Sequence, residues 1–480
     1  MMRREEKNFL HFVTYLKNPM EEIKMKRNLI SLIVVIFLGL LIFGCGEEPK
    51  TPTSIQQELS VNSCEGCHTN YNHLKKVYSP DTVSAGGGCG GDIPHIEPYD
   101  RVYMGGEGYR AFKASAHGKI PCTSCHNGVD NTGDKKLAHS GDFIKHPSDR
   151  AMEKCASCHP NIVSKAHNNI HNGWGQKSML VLRYGYVYTN VNDLPNKFEQ
   201  LPAKLKEGYN TNCAKCHGGC GDCHVNRPKA GGGGLLNGHN FTKPDMLNQC
   251  TACHSSRVAH AYFGLAPGSS PDVHQTKGMK CMNCHTTDEI HGDGKIYDQR
   301  YKVPSLPKCE KCHQGIATSN MYHAVHINTF NCNVCHSQNY NNCGSCHIGG
   351  EGARIPSYQS FKIGINPIPE TKPYKYATLR RSLMAPDSWE LYGVSNLQNF
   401  AVRPTYKYAT PHNIRRWTSR TQVDQGKPCY DNCHIIKEGN TFRNKELYLF
   451  NSDLHEEWEK EASRSVTVDG KLPASWGVGN

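Results

Sequence analysis

Residues 213–224 read CAKCHGGCGDCH: Cys213, Cys216 and His217, two glycines, then Cys220, Cys223 and His224. A pair of cysteines three apart with a histidine directly after it occurs here twice within twelve residues. Outward in both directions the same unit returns. Upstream it stands at Cys64, Cys67 and His68, at Cys122, Cys125 and His126, and at Cys155, Cys158 and His159. Downstream it stands at Cys250, Cys253 and His254, at Cys281, Cys284 and His285, at Cys309, Cys312 and His313, at Cys332, Cys335 and His336, and at Cys343, Cys346 and His347. An eleventh unit, Cys429, Cys433 and His434, has one extra residue between its cysteines. These units absorb 22 of the 24 cysteines and leave Cys45 and Cys89.

The spacing has a chemical reason. Two thiols three residues apart reach the two vinyl groups of one haem as thioethers, and the next residue lies beneath the iron as its first axial ligand. Structural zinc would draw CxxC units together into four-ligand sites and needs no histidine after each pair. Eleven c-type haems are therefore expected, ten on regular motifs and one on the longer motif. For the longer motif a disulfide or thiol pair is the competing reading, and His434 in the right place favours haem. Cys89, in the glycine-rich run SAGGGCGGD, reads as a free thiol in a loop, with an axial or redox role as the sharper alternative.

Each iron needs a sixth ligand or is left open, and histidine is the usual choice in electron-transfer haems. Of 27 histidines, eleven follow motif cysteines and His11 precedes the apolar segment. The candidates for the second axial position are His73, His95, His117, His139, His146, His167, His171, His239, His260, His274, His291, His323, His326 and His412, with His455 the weakest. They exceed the number of irons. None is assigned to a particular iron, because a distal histidine in such proteins often serves a neighbouring haem.

The 480 residues carry 45 glycines and 26 prolines, and mean hydropathy is −0.62. With about 40 residues per haem, the chain has too little aliphatic material for a core around each one, so haem faces must stand in for it. The expected fold is irregular: mainly short α-helices and loops wrapped around a chain of covalently bound haems, with little regular β. Residues 179–190 (MLVLRYGYVYTN) alternate in a partly strand-like way, and residues 445–464 read as a terminal helix.

Residues 1–44 read as a signal peptide, with 1–24 an upstream start or extended n-region. A short basic stretch, Met25-Lys26-Arg27, precedes 16 apolar residues, 29–44, too short for a typical membrane span. An uncleaved anchor is the competing reading. The run ends IFGC and resembles a bacterial lipobox, which implies lipidation of Cys45. Removal of 1–44 takes seven Lys/Arg and four Asp/Glu and leaves a net charge of +9. Each oxidised haem with two propionates adds about −1, so the basic residues are expected to pair with propionates rather than with nucleic acid. The organisation read from the chain is a lipidated tether (45–63), a ten-haem region (64–347), a haem-free wrapping or docking segment (348–428) and a C-terminal part with the eleventh motif (429–480).

Together with GCGDCHVNRP (219–228) and VHQTKGMKCMNCHTTDEIHGDG (273–294), the motifs make the chain resemble multihaem c-type cytochrome lipoproteins of metal-respiring bacteria, including those of extracellular electron conduits and selenite/tellurite-reductase operons. The resemblance spans most of 64–434. It implies an exported lipoprotein at the outer membrane, on its periplasmic or cell-surface face. Its partners would be other cytochromes or an outer-membrane porin-cytochrome conduit. Two functions compete: electron carriage without a substrate pocket, and a terminal reductase with one open haem acting on a small oxyanion, nitrogen or sulfur compound. Lysine in place of a motif histidine, which marks the open haem in many multihaem nitrite reductases, does not occur. This favours the carrier. A haem filament is a third possibility, disfavoured by a tethered end.

Overall fold

A cysteine at position i, a second at i+3 and a histidine at i+4 share one face of a single helical turn. The chain forms that turn, or a 3₁₀ version of it, at most of the motifs among the described residues. Cys64–Thr69, Cys122–His126, Cys220–His224, Cys281–Cys284 and Cys332–His336 are short α-helices, and Ala214–Cys216 and Cys309–Lys311 are 3₁₀ turns. Their ends are capped locally: the Ser63 side chain accepts from the Gly66 amide, and Asp222 Oδ2 accepts from the Gly219 amide at 2.9 Å. Around Cys250 the helix Thr251–Cys253 is flanked by π-helical turns, Met246–Cys250 and Ser255–Ala259.

The computed structural model describes residues 59–81, 87–88, 91–92, 95–266, 268–339, 361–381, 384–419, 421–422, 424–426, 436–438, 441–443 and 447–474. The signal stretch, Cys45, Cys89 and the motifs at Cys343, Cys346, His347 and at Cys429, Cys433, His434 lie outside them. The architecture is short helices joined by long loops. The largest described sheet is three-stranded and antiparallel, with Tyr376–Arg381 between Lys362–Ile365 and Tyr406–Tyr408. Register pairs Ile365 with Tyr376 on one side and Arg381 with Tyr406 on the other. Among the described residues no helix is long and apolar enough to cross a membrane.

Apolar packing is concentrated away from the motifs. Among the described residues, all the largest fully buried apolar side chains come from 180–209 or 376–466: Leu180, Val181, Leu194, Leu205, Tyr209, Tyr376, Leu379, Trp389, Leu397, Leu449 and Val466. The helices Trp174–Tyr184, Leu194–Glu199 and Ala203–Asn212 pack against Trp389, Leu397, Phe400 and Ala462 in one cluster. The sheet packs against Leu449, Leu454, Val466 and Val468 in two more. Gly364 is required here, because a Cβ would overlap Leu379 and lie 2.6 Å from the Val466 carbonyl. The sheet is tied to the helix Glu457–Ser463 by Arg381 and Glu459, both 4 % exposed, with Nε–Oε1 at 2.5 Å and Nη2–Oε2 at 3.1 Å. Near the motifs, by contrast, apolar side chains such as Leu137, Met152, Leu247, Met282, Met321 and Val325 are exposed.

Two sequence expectations are corrected. The strand-like run at 179–190 is helical in its first half. Gly173 (φ +71°) and Gly185 (φ +118°) bracket Trp174–Tyr184, whose interior is made of good helix formers, and Trp174, Ser178 and Val181 bury one face. The C-terminal helix is confined to Glu457–Ser463, preceded by a 3₁₀ turn at Asn451–Asp453.

Candidate metal-ligating histidine pairs

Nine regular motifs fall within the described residues, and in eight of them the motif histidine faces one further histidine ring. The pairs are His68 with His139 (centroids 6.1 Å apart), His126 with His239 (5.9 Å), His159 with His117 (5.9 Å), and His224 with His291 (6.3 Å). The others are His254 with His171 (6.4 Å), His285 with His412 (6.2 Å), His313 with His274 (6.1 Å), and His336 with His323 (6.0 Å). Every pair joins one motif histidine to one non-motif histidine, and no residue is used twice. Two imidazoles on opposite sides of one metal, with metal–nitrogen bonds of about 2 Å and about 1.1 Å from nitrogen to ring centre, have centroids about 6.2 Å apart. The eight observed separations cluster at that value.

The outer ring nitrogens are held as such ligation requires. Among motif histidines, His68 Nδ1 donates to the Val102 carbonyl (3.1 Å), His126 to Ile144 (2.9 Å), His224 to Thr242 (2.8 Å) and His336 to Arg415 (3.1 Å). His285 donates to Glu289 Oε1 at 2.9 Å. Among their partners, His139 donates to the Lys135 carbonyl (2.8 Å) and His274 to Asp272 Oδ1 (2.9 Å). Occupying Nδ1 fixes the tautomer and leaves the Nε2 lone pair available to a metal. Burial favours the neutral ring: it lowers His171, His239 and His412 to about 4 and also depresses His68, His126, His254 and His336. His285 moves the other way, raised chiefly by its bond to Glu289. Among the described residues no three His, Cys, Asp or Glu side chains converge as a structural zinc site requires.

The cysteines place the motifs beside one another. The Cys250 thiol lies against Cys281, Cys309 against Cys332, and Cys253 against Cys216. Cys64 is within electrostatic reach of Cys122, Cys155 of Cys125 and Cys220, Cys223 of Cys250, and Cys284 of Cys309 and Cys312. Read in sequence, these neighbours form a line: 64, 122, 155, 220, 250, 281, 309, 332. The motif at Cys213 joins the line from the side, through Cys216 and Cys253.

The ninth motif is different. His217 has no second imidazole at this separation among the described residues. Its Nδ1 meets the Tyr209 hydroxyl at 3.2 Å, one turn before Cys213 on the helix Ala203–Asn212. Gly173 approaches the Cε1–Nε2 edge so closely that a Cβ there would overlap it. A cavity of about 490 Å³ adjoins His217, lined also by Asn172, Lys177, Phe198, Glu199, Lys206, Tyr209, Asn210 and Ala214. Lys177 Nζ stands 4.3 Å over the Trp174 ring, and burial lowers its pKa. Lys206 is held by Glu199 Oε2 at 3.0 Å.

Of the remaining candidates, His73, His95, His146, His167 and His260 face no motif histidine among the described residues. His95 lies 3.3 Å from Glu97, and His326 donates to the Tyr322 carbonyl at 2.8 Å with its ring 5.9 Å from Phe330. Sequence reading did not single out Lys177, Tyr209 or Gly173. Tyr209 stands four residues before Cys213, and nothing in the sequence links Gly173 or Lys177 to that motif.

Comparison with known proteins finds no matching family, no matching curated protein and no matching solved structure.

Proposed function

We propose that the chain is a multihaem c-type cytochrome that passes electrons through closely spaced haems, most of them held by two histidines. The observation that carries this reading is the one-to-one pairing of eight motif histidines with eight non-motif histidines at a common separation near 6 Å. The residues fit the group in three further ways. Each described motif offers two thiols and a histidine. The Nδ1 atoms are turned to carbonyls or carboxylates. Apolar side chains next to the motifs in the chain, such as Leu247 and Met282, are exposed, and a porphyrin face would supply a cover for such groups. When bound, haem supplies a one-electron Fe(III)/Fe(II) couple. The chain's contribution is to fix the imidazoles, exclude water and set the spacing.

In this reading the short helices and loops wrap a line of haems, and the described part of the segment 348–428 closes over it. That segment brings His412 to His285 and the Arg415 carbonyl to His336. The donors are membrane or periplasmic redox proteins and the acceptor is an outer or extracellular one, reached from a lipid anchor at Cys45 at the outer membrane, on its periplasmic or cell-surface face. Holoprotein made in a haem-attaching host should carry eleven haems by pyridine haemochrome assay. It should take up one electron per haem over a broad potential range in spectroelectrochemistry. A purified chain holding zinc and no Soret band would sink the proposal. The terminal-reductase reading is favoured by one observation, the ninth motif.

A further inference from the structure

Five of the paired imidazoles rest their outer nitrogen on a backbone carbonyl. Two rest it on a carboxylate. His285 Nδ1 lies 2.9 Å from Glu289 Oε1 and 3.0 Å from Oε2. His274, whose ring faces His313, has its Nδ1 2.9 Å from Asp272 Oδ1. The Glu289 and Asp272 side chains are only 4 % and 3 % exposed, and among the described residues neither meets a lysine or arginine at ion-pair distance.

The local sequence builds both contacts. Asp272 caps the helix Val273–Thr276: its Oδ1 accepts from the His274 amide at 2.7 Å as well as from the ring, and its Oδ2 accepts from the Ile414 amide at 2.7 Å. Glu289 stands on the first turn of Thr287–His291, four residues after His285. Ile414 comes two residues after His412, which faces His285, so the short stretch 412–414 serves both sites. The two sites belong to neighbouring motifs, because Cys284 is within electrostatic reach of Cys309 and Cys312. On either side stand pairs that hold no carboxylate among the described residues. One is His254 with His171. The other is His336 with His323, whose outer nitrogens meet the Arg415 carbonyl and the Ser319 hydroxyl.

A carboxylate on the outer nitrogen makes an imidazole a stronger donor, and a buried negative charge nearby favours the more positive state of a metal. We propose that Asp272 and Glu289 are positioning residues that lower the potentials of the haems on Cys309/Cys312 and Cys281/Cys284, and so set an uphill step in the line between the motifs from Cys64 to Cys250 and the motif at Cys332. This rests on the haem reading given above and deepens it by naming the residues that shape the potential along the line. Each transfer through the step oxidises one ferrous iron and reduces the next ferric one, with no bond made or broken and no proton moved. At partial reduction electrons settle on both sides of the step.

The test is an EPR-monitored potentiometric titration of full-length holoprotein, with haem content measured first. Asp272→Asn and Glu289→Gln keep an oxygen acceptor of the same reach and remove the charge. Each should leave haem content unchanged and raise the midpoint of one ferric low-spin signal by about 60 mV, a tenfold shift in a one-electron equilibrium. The rings of His285 and His412 are near parallel (16°), so Glu289→Gln should move a rhombic signal. Those of His313 and His274 are steeply crossed (72°), so Asp272→Asn should move a strongly anisotropic one. Both signals should be among those reduced in the lower half of the unsubstituted protein's titration. The proposal is overturned if that lower half lacks either kind of signal, a result that needs no variant. It is also overturned if the substitutions shift no signal, shift signals of the upper half, or shift every signal alike. Loss of haem in either variant would assign that carboxylate a structural role instead. A parent chain without covalent haem fails the function proposed above, so the two failures are distinguishable.

Discussion

The paired rings do not meet at one angle, and the angle has a spectroscopic consequence. His285–His412, His159–His117 and His224–His291 are near parallel, at 16°, 18° and 27°. His68–His139, His254–His171 and His313–His274 are near perpendicular, at 90°, 81° and 72°. Parallel imidazoles split the two iron d-orbitals that point between the porphyrin nitrogens and the ligands, whereas perpendicular ones leave them nearly equal. Oxidised protein should therefore give two families of low-spin EPR signal, one rhombic and one strongly anisotropic. A single family would contradict the pairing geometry. Glu289 gives a second test. Its carboxylate accepts from His285 Nδ1; under the proposed haem ligation this would make that imidazole a stronger donor and stabilise the ferric state. Glu289→Gln should raise one haem's potential by about 60 mV, equivalent to a tenfold shift in a one-electron equilibrium. Potentiometric titration of both proteins would read it. At this scale the motif histidines were legible, because helix geometry ties them to their cysteines. Their partners were not, since nothing local links His285 to a residue 127 positions away.

Among elements, the small sheet matters because it carries a motif. Asn331, just before Cys332, donates its amide to the Tyr376 carbonyl (3.2 Å) and its side chain to the Tyr408 hydroxyl (3.0 Å). The helix Cys332–His336 is thereby seated on the strands. Their attachment to the C-terminal helix is the buried Arg381–Glu459 pair. Removing one partner of such a pair deprives the other charge of its counter-ion, so Glu459→Ala should cost about 3 kcal/mol in chemical denaturation of the holoprotein. A change under 1 kcal/mol would mean that water reaches Arg381. The sheet itself was not foreseen, because 348–428 is rich in Tyr, Pro and Arg and shows little alternation. The helix at 174–184 was misread for the opposite reason. The run Met179–Leu182 is apolar at every position, and only the two bracketing glycines and the packing of Trp174 decide its period.

At the scale of the molecule the chain divides its labour. Among the described residues the largest buried apolar clusters draw mainly on 174–209 and 361–468, while 64–160 and 213–339 hold the motifs and only smaller buried groups such as Met104, Tyr109 and Phe112. Loss of haem should act unevenly. In a chain produced without haem attachment, hydrogen exchange should become fast throughout the motif-bearing stretches, with residual protection in the sheet and in the helices around Leu180 and Leu205. Uniform protection equal to that of holoprotein would show that the motifs fold without their groups. The pairing of His285 with His412 bears on assembly as well. A polypeptide delivered from its N-terminus presents Cys281, Cys284 and His285 well before residue 412 exists on the same side. During that interval the nascent site has one face uncovered, open to stray thiols, water or the wrong histidine. If the group proposed above is attached during export, the part of the chain that carries His412 would then have to displace whatever has settled there.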